Sequence, residues 1–507
     1  MTATLTATPV ASTTDRRRAM LALARIEAVR QLRSPVTIVA AVLFLAPWIY
    51  GWIAGTMNEF PVLHEESVEV QFLAMLVLGN AALITVNFAA LRPHRHRVDV
   101  LFDVLVLPTA WRTGALLLAV LAPTALALVL LVVRIGALAL LPGAAGRVLP
   151  LDVLIVPTVV ALFGVLGVLL ARLTRSAVVA PVVALLLTSC AFIGPVGGSS
   201  ATKWRLLLPI VTPEFPMPLP LDIFGRPGGR HLVYVVGLVA VLAVLALLRS
   251  GVRWPVWAAG GVATAVMLTG AVTQFRVDDS LEAARRTATE SPASVQTCRT
   301  LDGVEYCAFD GFEPWVEDWN AVLRDVRRAT PVAAEPFTVR QRVWATPHPT
   351  SVIPTAADIP PSDPSAVPIG TEWGDRYAEA MFAAAVAYRL VAGEPWPGDK
   401  PVCGSRGALV VWLVGQVGGR VTEGLRLVKE SSTNRLEFFD SDGFAPLAVP
   451  NADAAAGLAL LEKPGAAGLV RKHWTELTAP GTDAGRFAAL VGVEPAPQPP
   501  TEERLPC

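Results

Sequence analysis

Three short stretches carry residue types that do chemistry elsewhere. His64-Glu65-Glu66 opens like the His-Glu-x-x-His of zinc peptidases, where two imidazoles one helical turn apart hold the metal and the Glu activates water. The second His is missing and the triplet reads as part of a short loop, so no metal site is expected. Gly393-Glu-Pro-Trp-Pro-Gly-Asp-Lys-Pro401 is a poor phosphate loop, because Asp399 stands where the phosphate-binding Lys is required. The third stretch is Cys298-Arg-Thr-Leu-Asp-Gly-Val-Glu-Tyr-Cys307. Asp302-Gly303 suits a two-residue type I′ turn. Counting outward from it pairs Cys298 with Cys307 on a non-hydrogen-bonded rung, where alpha carbons lie closest and a disulfide fits. No Gly-x-Ser-x-Gly elbow occurs. The chain is therefore expected not to be an enzyme, and to bind no cofactor of its own.

The elements that must position these groups are mostly apolar. Of 507 residues, 53% are hydrophobic and 17% charged, too greasy for a soluble protein of this length. Runs of about 18 or more uncharged residues read as spans. They cover 36–56, 70–91, 113–133, 153–171, 177–197, 231–248 and 254–275, a helical bundle of seven transmembrane segments. No Asp, Glu or Lys lies in the middle of any span, which argues against a proton- or ion-coupled secondary transporter. Asn80 and Asn87 in the second span are expected to hydrogen-bond between helices rather than touch a cargo. Segment 203–230 reads either as short, partly inserted helices broken by Pro or as a membrane-hugging loop.

Lys and Arg placement sets the orientation. A cytoplasmic N-terminus puts 14 Lys/Arg on inner segments against 6 on outer ones. The expected protein is a multi-pass plasma-membrane chain with its C-terminal part outside. Residues 1–35 form a cytoplasmic tail and an interfacial helix, 36–275 the transmembrane domain, and 276–507 an extracellular domain with a disordered end. That domain is expected to be mainly α-helical around the small hairpin. Helices are predicted at 314–326, 371–392, 452–462, 465–477 and 483–491, a strand at 336–345, and a Pro-rich connector at 346–368. Leu409–Val414 is too short for a span and reads as a buried helix. Cys403 and Cys507 pair only if the tail folds back. The formal net charge of zero offers no nucleic-acid footprint.

Two charged stretches sit against the inner ends of the spans. Residues 15–33 have helical period, with Met20, Leu21, Ala24, Ile26, Val29 and Leu32 beside six Arg, as in a helix lying on an anionic leaflet. Residues 92–112 hold Asp99 and Asp103 four apart on one face, with Leu101, Phe102, Leu105 and Val106 available to the other, and Pro108 as a stop. This is either an interfacial helix that a soluble partner pushes or an ordinary basic loop.

Together these features resemble the permease subunit of an ABC-2 type transporter. The residues that carry the likeness are Arg25-Ile-Glu-Ala-Val-Arg-Gln-Leu-Arg-Ser-Pro35 and Arg97-Val-Asp-Val-Leu-Phe-Asp-Val-Leu-Val-Leu-Pro108, with Trp111-Arg112. The likeness covers residues 15–250. The chain departs from it in having Val98-Asp99-Val100 where Gly-Thr-Glu often opens the coupling helix. The seventh span and outer domain are similar to extended permeases of actinobacteria. The resemblance implies a coupling helix near 97–108, with Arg97, Asp99, Phe102, Asp103 and Arg112 contacting a separate ATPase subunit. It further implies ATP and Mg held on that partner, a second permease copy in the lipid membrane, and export rather than import. A membrane-anchored outer sensor or binding protein is the alternative, on the strength of the Trp-rich outer domain. Those Trp are more often core than ligand platform.

Overall fold

The computed structural model describes residues 12–55, 57, 59–95, 107–193, 206–211, 217–225, 228–251, 254–276, 278–331, 337–343, 345, 366–374, 376–394, 401–431, 435–438 and 447–494. Helix α1 (Thr13–Leu32) starts where Ser12 accepts a hydrogen bond from the Asp15 amide. Then come α2 (Pro35–Ala54), α3 (Leu63–Arg95), α4 (Thr109–Ala139), α5 (Pro150–Thr174), α6 (Val179–Ile193), α7 (Gly228–Leu248) and α8 (Trp254–Gln274). Proline at the first turn of α2 and α5 costs no hydrogen bond, since those amides are unpaired in any helix. Six of these helices (α2, α3, α4, α5, α7 and α8) are long and apolar enough to cross a membrane. The chain is a helical membrane protein. Of helix α6, expected as the fifth span, 15 residues are described, up to Ile193.

Small residues set the closest helix approaches. A Cβ on Gly237 of α7 would lie 2.5 Å from the Met267 backbone nitrogen of α8, and one on Gly167 of α5 would lie 2.6 Å from Leu83 O of α3. Backbones this close gain dispersion contacts that larger side chains would prevent.

After α8, Asp278 caps α9 (Asp279–Glu290) by accepting from the Ser280 and Leu281 amides. The C-terminal domain follows. The expected hairpin is present as β1 (Thr297–Leu301) and β2 (Val304–Ala308), with Cys298 opposite Cys307. It is not alone. Strands β3 (Thr338–Gln341) and β4 (Ala366–Ile369) add to it in parallel, giving the order β1-β2-β3-β4. A second hairpin joins β5 (Arg435–Phe438) to β6 (Leu447–Pro450). The domain thus holds more sheet than expected, because four-residue strands are too short to declare a period of two. Around the sheets stand α10 (Val316–Arg328), α11 (Arg376–Ala392), α12 (Gly404–Gln416), α13 (Gly419–Ser431), α14 (Asn451–Leu461), α15 (Ala466–Leu477) and α16 (Ala484–Val491). Gly393, in the left-handed region at φ 67°, ends α11 as predicted. Trp373 precedes α11 rather than lining it. With Trp315, Trp319 and Trp412 it is fully buried, which bears out the reading of these rings as core.

One hydrophobic core runs from this domain into the loops at one end of the bundle. It includes Phe60, Val62, Val68, Ala145, Leu219, Ile223 and Phe224 from the bundle side. Phe60 meets Trp315 and Trp373 edge-on, at centroid distances of 6.5 and 6.4 Å. Trp315 donates its indole N–H to Gly143 O at 2.8 Å, and the Gly146 amide donates to Gly311 O at 2.9 Å. Arg420 lies over the Phe60 ring and pairs with Glu59 at 3.1 Å and Glu379 at 3.4 Å. The domain is a cap seated on the bundle.

Candidate functional site

The opposite end of the bundle is basic, and α1 lies across it. Its inward stripe is Ala24, Glu27 and Gln31, all buried, while Leu21, Ile26, Val29 and Leu32 point outward. The apolar face expected from the sequence is therefore split. Ala24 is buried and Met20 turns toward α4, where a Cβ on Gly114 would meet Met20 Sδ at 3.3 Å. The outward Leu, Ile and Val alternate with exposed Arg18, Arg25 and Arg33. Such a mixed face suits a bilayer boundary, where Arg stems lie among acyl chains and their guanidinium groups reach phosphates.

Glu27 is the centre of this end. It is 5% exposed, and its Oε1 accepts from Arg92 at 2.6 Å and from Arg30 at 3.1 Å. A carboxylate desolvated to this degree is tolerable only because two guanidinium groups reach it. Arg92 lies in the last turn of α3, which runs on through Pro93 to Arg95 rather than stopping near 91. The pair thus ties α1 to the foot of the second span. Sequence reasoning did not single it out, although Glu27 is the one acid among the six Arg of residues 16–33.

Of the expected coupling residues, Arg97, Asp99, Phe102 and Asp103 lie outside the described residues. Arg112 is described, in the first turn of α4, and donates to Thr109 Oγ1 at 3.0 Å. Pro108 is the N-cap of that helix. One turn on, Thr113 Oγ1 lies 2.7 Å from Ser250 Oγ just beyond the end of α7, closing the α4–α7 contact at this end.

The other sequence-derived candidates have structural partners. Asn80 donates to Thr188 Oγ1 at 2.9 Å and Asn87 to Gly167 O at 3.1 Å, so both join helices as expected. His64, Glu65 and Glu66 occupy the first turn of α3, not a loop. His64 Nε2 lies 2.7 Å from Leu219 O. A carbonyl only accepts, so that nitrogen carries the proton and is no metal ligand. Glu66 pairs with Arg134 at 2.9 Å. Cys298 and Cys307 are disulfide-bonded with alpha carbons 4.0 Å apart, and Asp302 and Gly303 take the positive φ values of a type I′ turn. Among the described residues the one cluster of three possible metal donors is this cystine with Glu305, and bonded sulfurs are not thiolate ligands. Cys403 is also disulfide-bonded; Cys507, with which it was expected to pair only if the tail folds back, lies outside the described residues. No family model, curated protein or solved structure matches the chain.

Proposed function

We propose that the chain is the permease subunit of an ABC-2-like, ATP-driven exporter in the plasma membrane. Two copies form the pathway, and separate ATPase subunits holding ATP and Mg dock on the basic end. The N-terminus is cytoplasmic and the cap extracellular, in keeping with the Lys/Arg asymmetry. The observation that carries the reading is the Glu27–Arg92 pair. It joins the N-terminal helix to the residues directly preceding segment 97–108, so a motor pressing on that segment moves α1 and the second span together. ATP-driven closure of the motor then tilts the spans between inward- and outward-facing arrangements.

The test is purification with native partners from gently solubilised membranes. An ATPase with nucleotide-binding motifs is expected to co-elute, and Asp99→Lys with Asp103→Lys is expected to abolish its recruitment. Undiminished recruitment by the double variant refutes the docking face.

A further inference from the structure

Helix α3 is 33 residues long, about 50 Å, and its hydrogen-bond ladder changes once. Met75–Gly79 is a π-helical turn, after which the Asn80 amide donates to Met75 O, five residues back. A wide turn of this kind holds its carbonyls less well than the α-helix on either side and is where a long helix bends.

The two flanks are held by different parts of the molecule. On the cap side, His64 reaches Leu219 O, Glu66 pairs with Arg134, Gln71 Oε1 accepts from the Val211 amide at 2.9 Å, and Val68 belongs to the cap core. On the basic side, Asn87 donates to Gly167 O, Leu83 O abuts Gly167, and Arg92 pairs with Glu27. Asn80 spans the weak point between them. Its Nδ2 donates both to Leu76 O within the π turn, at 3.0 Å, and to Thr188 Oγ1 of α6. Its Oδ1 is buried with no partner among the described residues. A polar side chain deep in an apolar bundle costs free energy, and here one amide group closes the turn and ties it to a neighbouring helix.

We propose that Met75–Asn80 is a hinge at which the basic-side half of α3 swings against a cap-side half that stays fixed, with the Asn80–Thr188 hydrogen bond as its latch. The hinge is a property of this chain whether or not it transports.

The test uses pairs of nitroxide labels on the full chain in lipid nanodiscs, in a background where the free, exposed Cys190 is Ser. Labels at Arg95→Cys and Leu173→Cys report the basic side, and labels at Glu69→Cys and Leu140→Cys report the cap side; all four positions are exposed. Thr188→Val and, separately, Asn80→Leu remove the latch. Either is expected to widen the basic-side distance distribution roughly twofold and leave the cap-side distribution unchanged. Widening at both ends, only at the cap side, or at neither overturns the proposal. Thr188→Val removes one hydroxyl on a different helix, so the test stands even if Asn80→Leu does not insert.

Discussion

Asp453 offers the sharpest test of how the cap is held together. Its carboxylate is buried, and its Oδ2 accepts the Gly404 amide, at the start of α12, at 2.7 Å. Burial pushes the group up from 3.8 to about 6, with the Gly404 bond pulling the other way. The folded state therefore binds this proton more tightly than the unfolded chain. Between about pH 4 and pH 6 the unfolded state releases it first, so stability falls as pH rises through that window and is flat above it. The shift corresponds to about 3 kcal/mol at neutral pH. An Asn in its place still buries an amide N–H2, so the substitution is expected to recover only about 1–2 kcal/mol of it. Asp453→Asn keeps an oxygen for the Gly404 amide and removes the charge. At pH 7.5 the variant is expected to unfold roughly 2–8 °C higher than the wild type, since a domain of this size moves about 2–4 °C per kcal/mol. The gain is expected to shrink through that window and vanish below about pH 3, where the wild-type carboxyl is protonated in both states. Tryptophan fluorescence during heating is a suitable readout, because Trp412 is buried in α12 itself. An Asn variant less stable than the wild type at pH 7.5, or parallel pH profiles for the two proteins, refutes the reasoning.

Other outcomes follow from single contacts. Glu27→Ala leaves Arg92 without its closest acceptor and is expected to loosen α1, raising tryptic cleavage at Arg25 and Arg30 about tenfold, while Glu27→Arg with Arg92→Glu restores protection. Cleavage at wild-type rates in the single variant would show the pair to be ornamental. Trp315→Phe retains the ring packing against Phe60 and Phe312 but orphans Gly143 O, and is expected to cost about 1–3 kcal/mol of cap stability in denaturant titrations. Gly237→Val drives a side chain into the Met267 backbone and is expected to abolish the monodisperse peak in size-exclusion chromatography. Gly261→Val, whose new Cβ meets nothing within 4 Å, is expected to elute normally.

Much of the architecture was legible from the chain alone because membrane helices answer to one dominant constraint. Each must satisfy its backbone internally and present apolar side chains for about 20 residues, and both requirements show as uncharged runs. The hairpin was equally readable, since Asp302-Gly303 fixes a register in which Cys298 faces Cys307. The late helices α14, α15 and α16 fall within a residue or two of their predicted bounds, each started by Pro450, Gly465 or Asp483. Strands β4 and β6 escaped because runs of buried residues without alternation carry no period, and β5, which does alternate, is only four residues long; β4 also lay at the edge of what read as a connector.

What the tertiary structure decided is which residues from distant parts of the chain meet. Residues 15–33 state that six Arg and one Glu lie on a helix, but only packing against α4 turns Glu27 inward to Arg92, 65 residues away. The His64-Glu65-Glu66 triplet looks the same on a loop or a helix, and its proton assignment came from Leu219 O, 155 residues on. The π turn in α3 has no sequence marker, because Met-Leu-Val-Leu-Gly is as good an α-helix as its neighbours. Hydrophobicity and turn chemistry act over a few residues and can be read locally. Partner choice among buried polar groups depends on which helices come together, and that is settled only when the whole chain is packed.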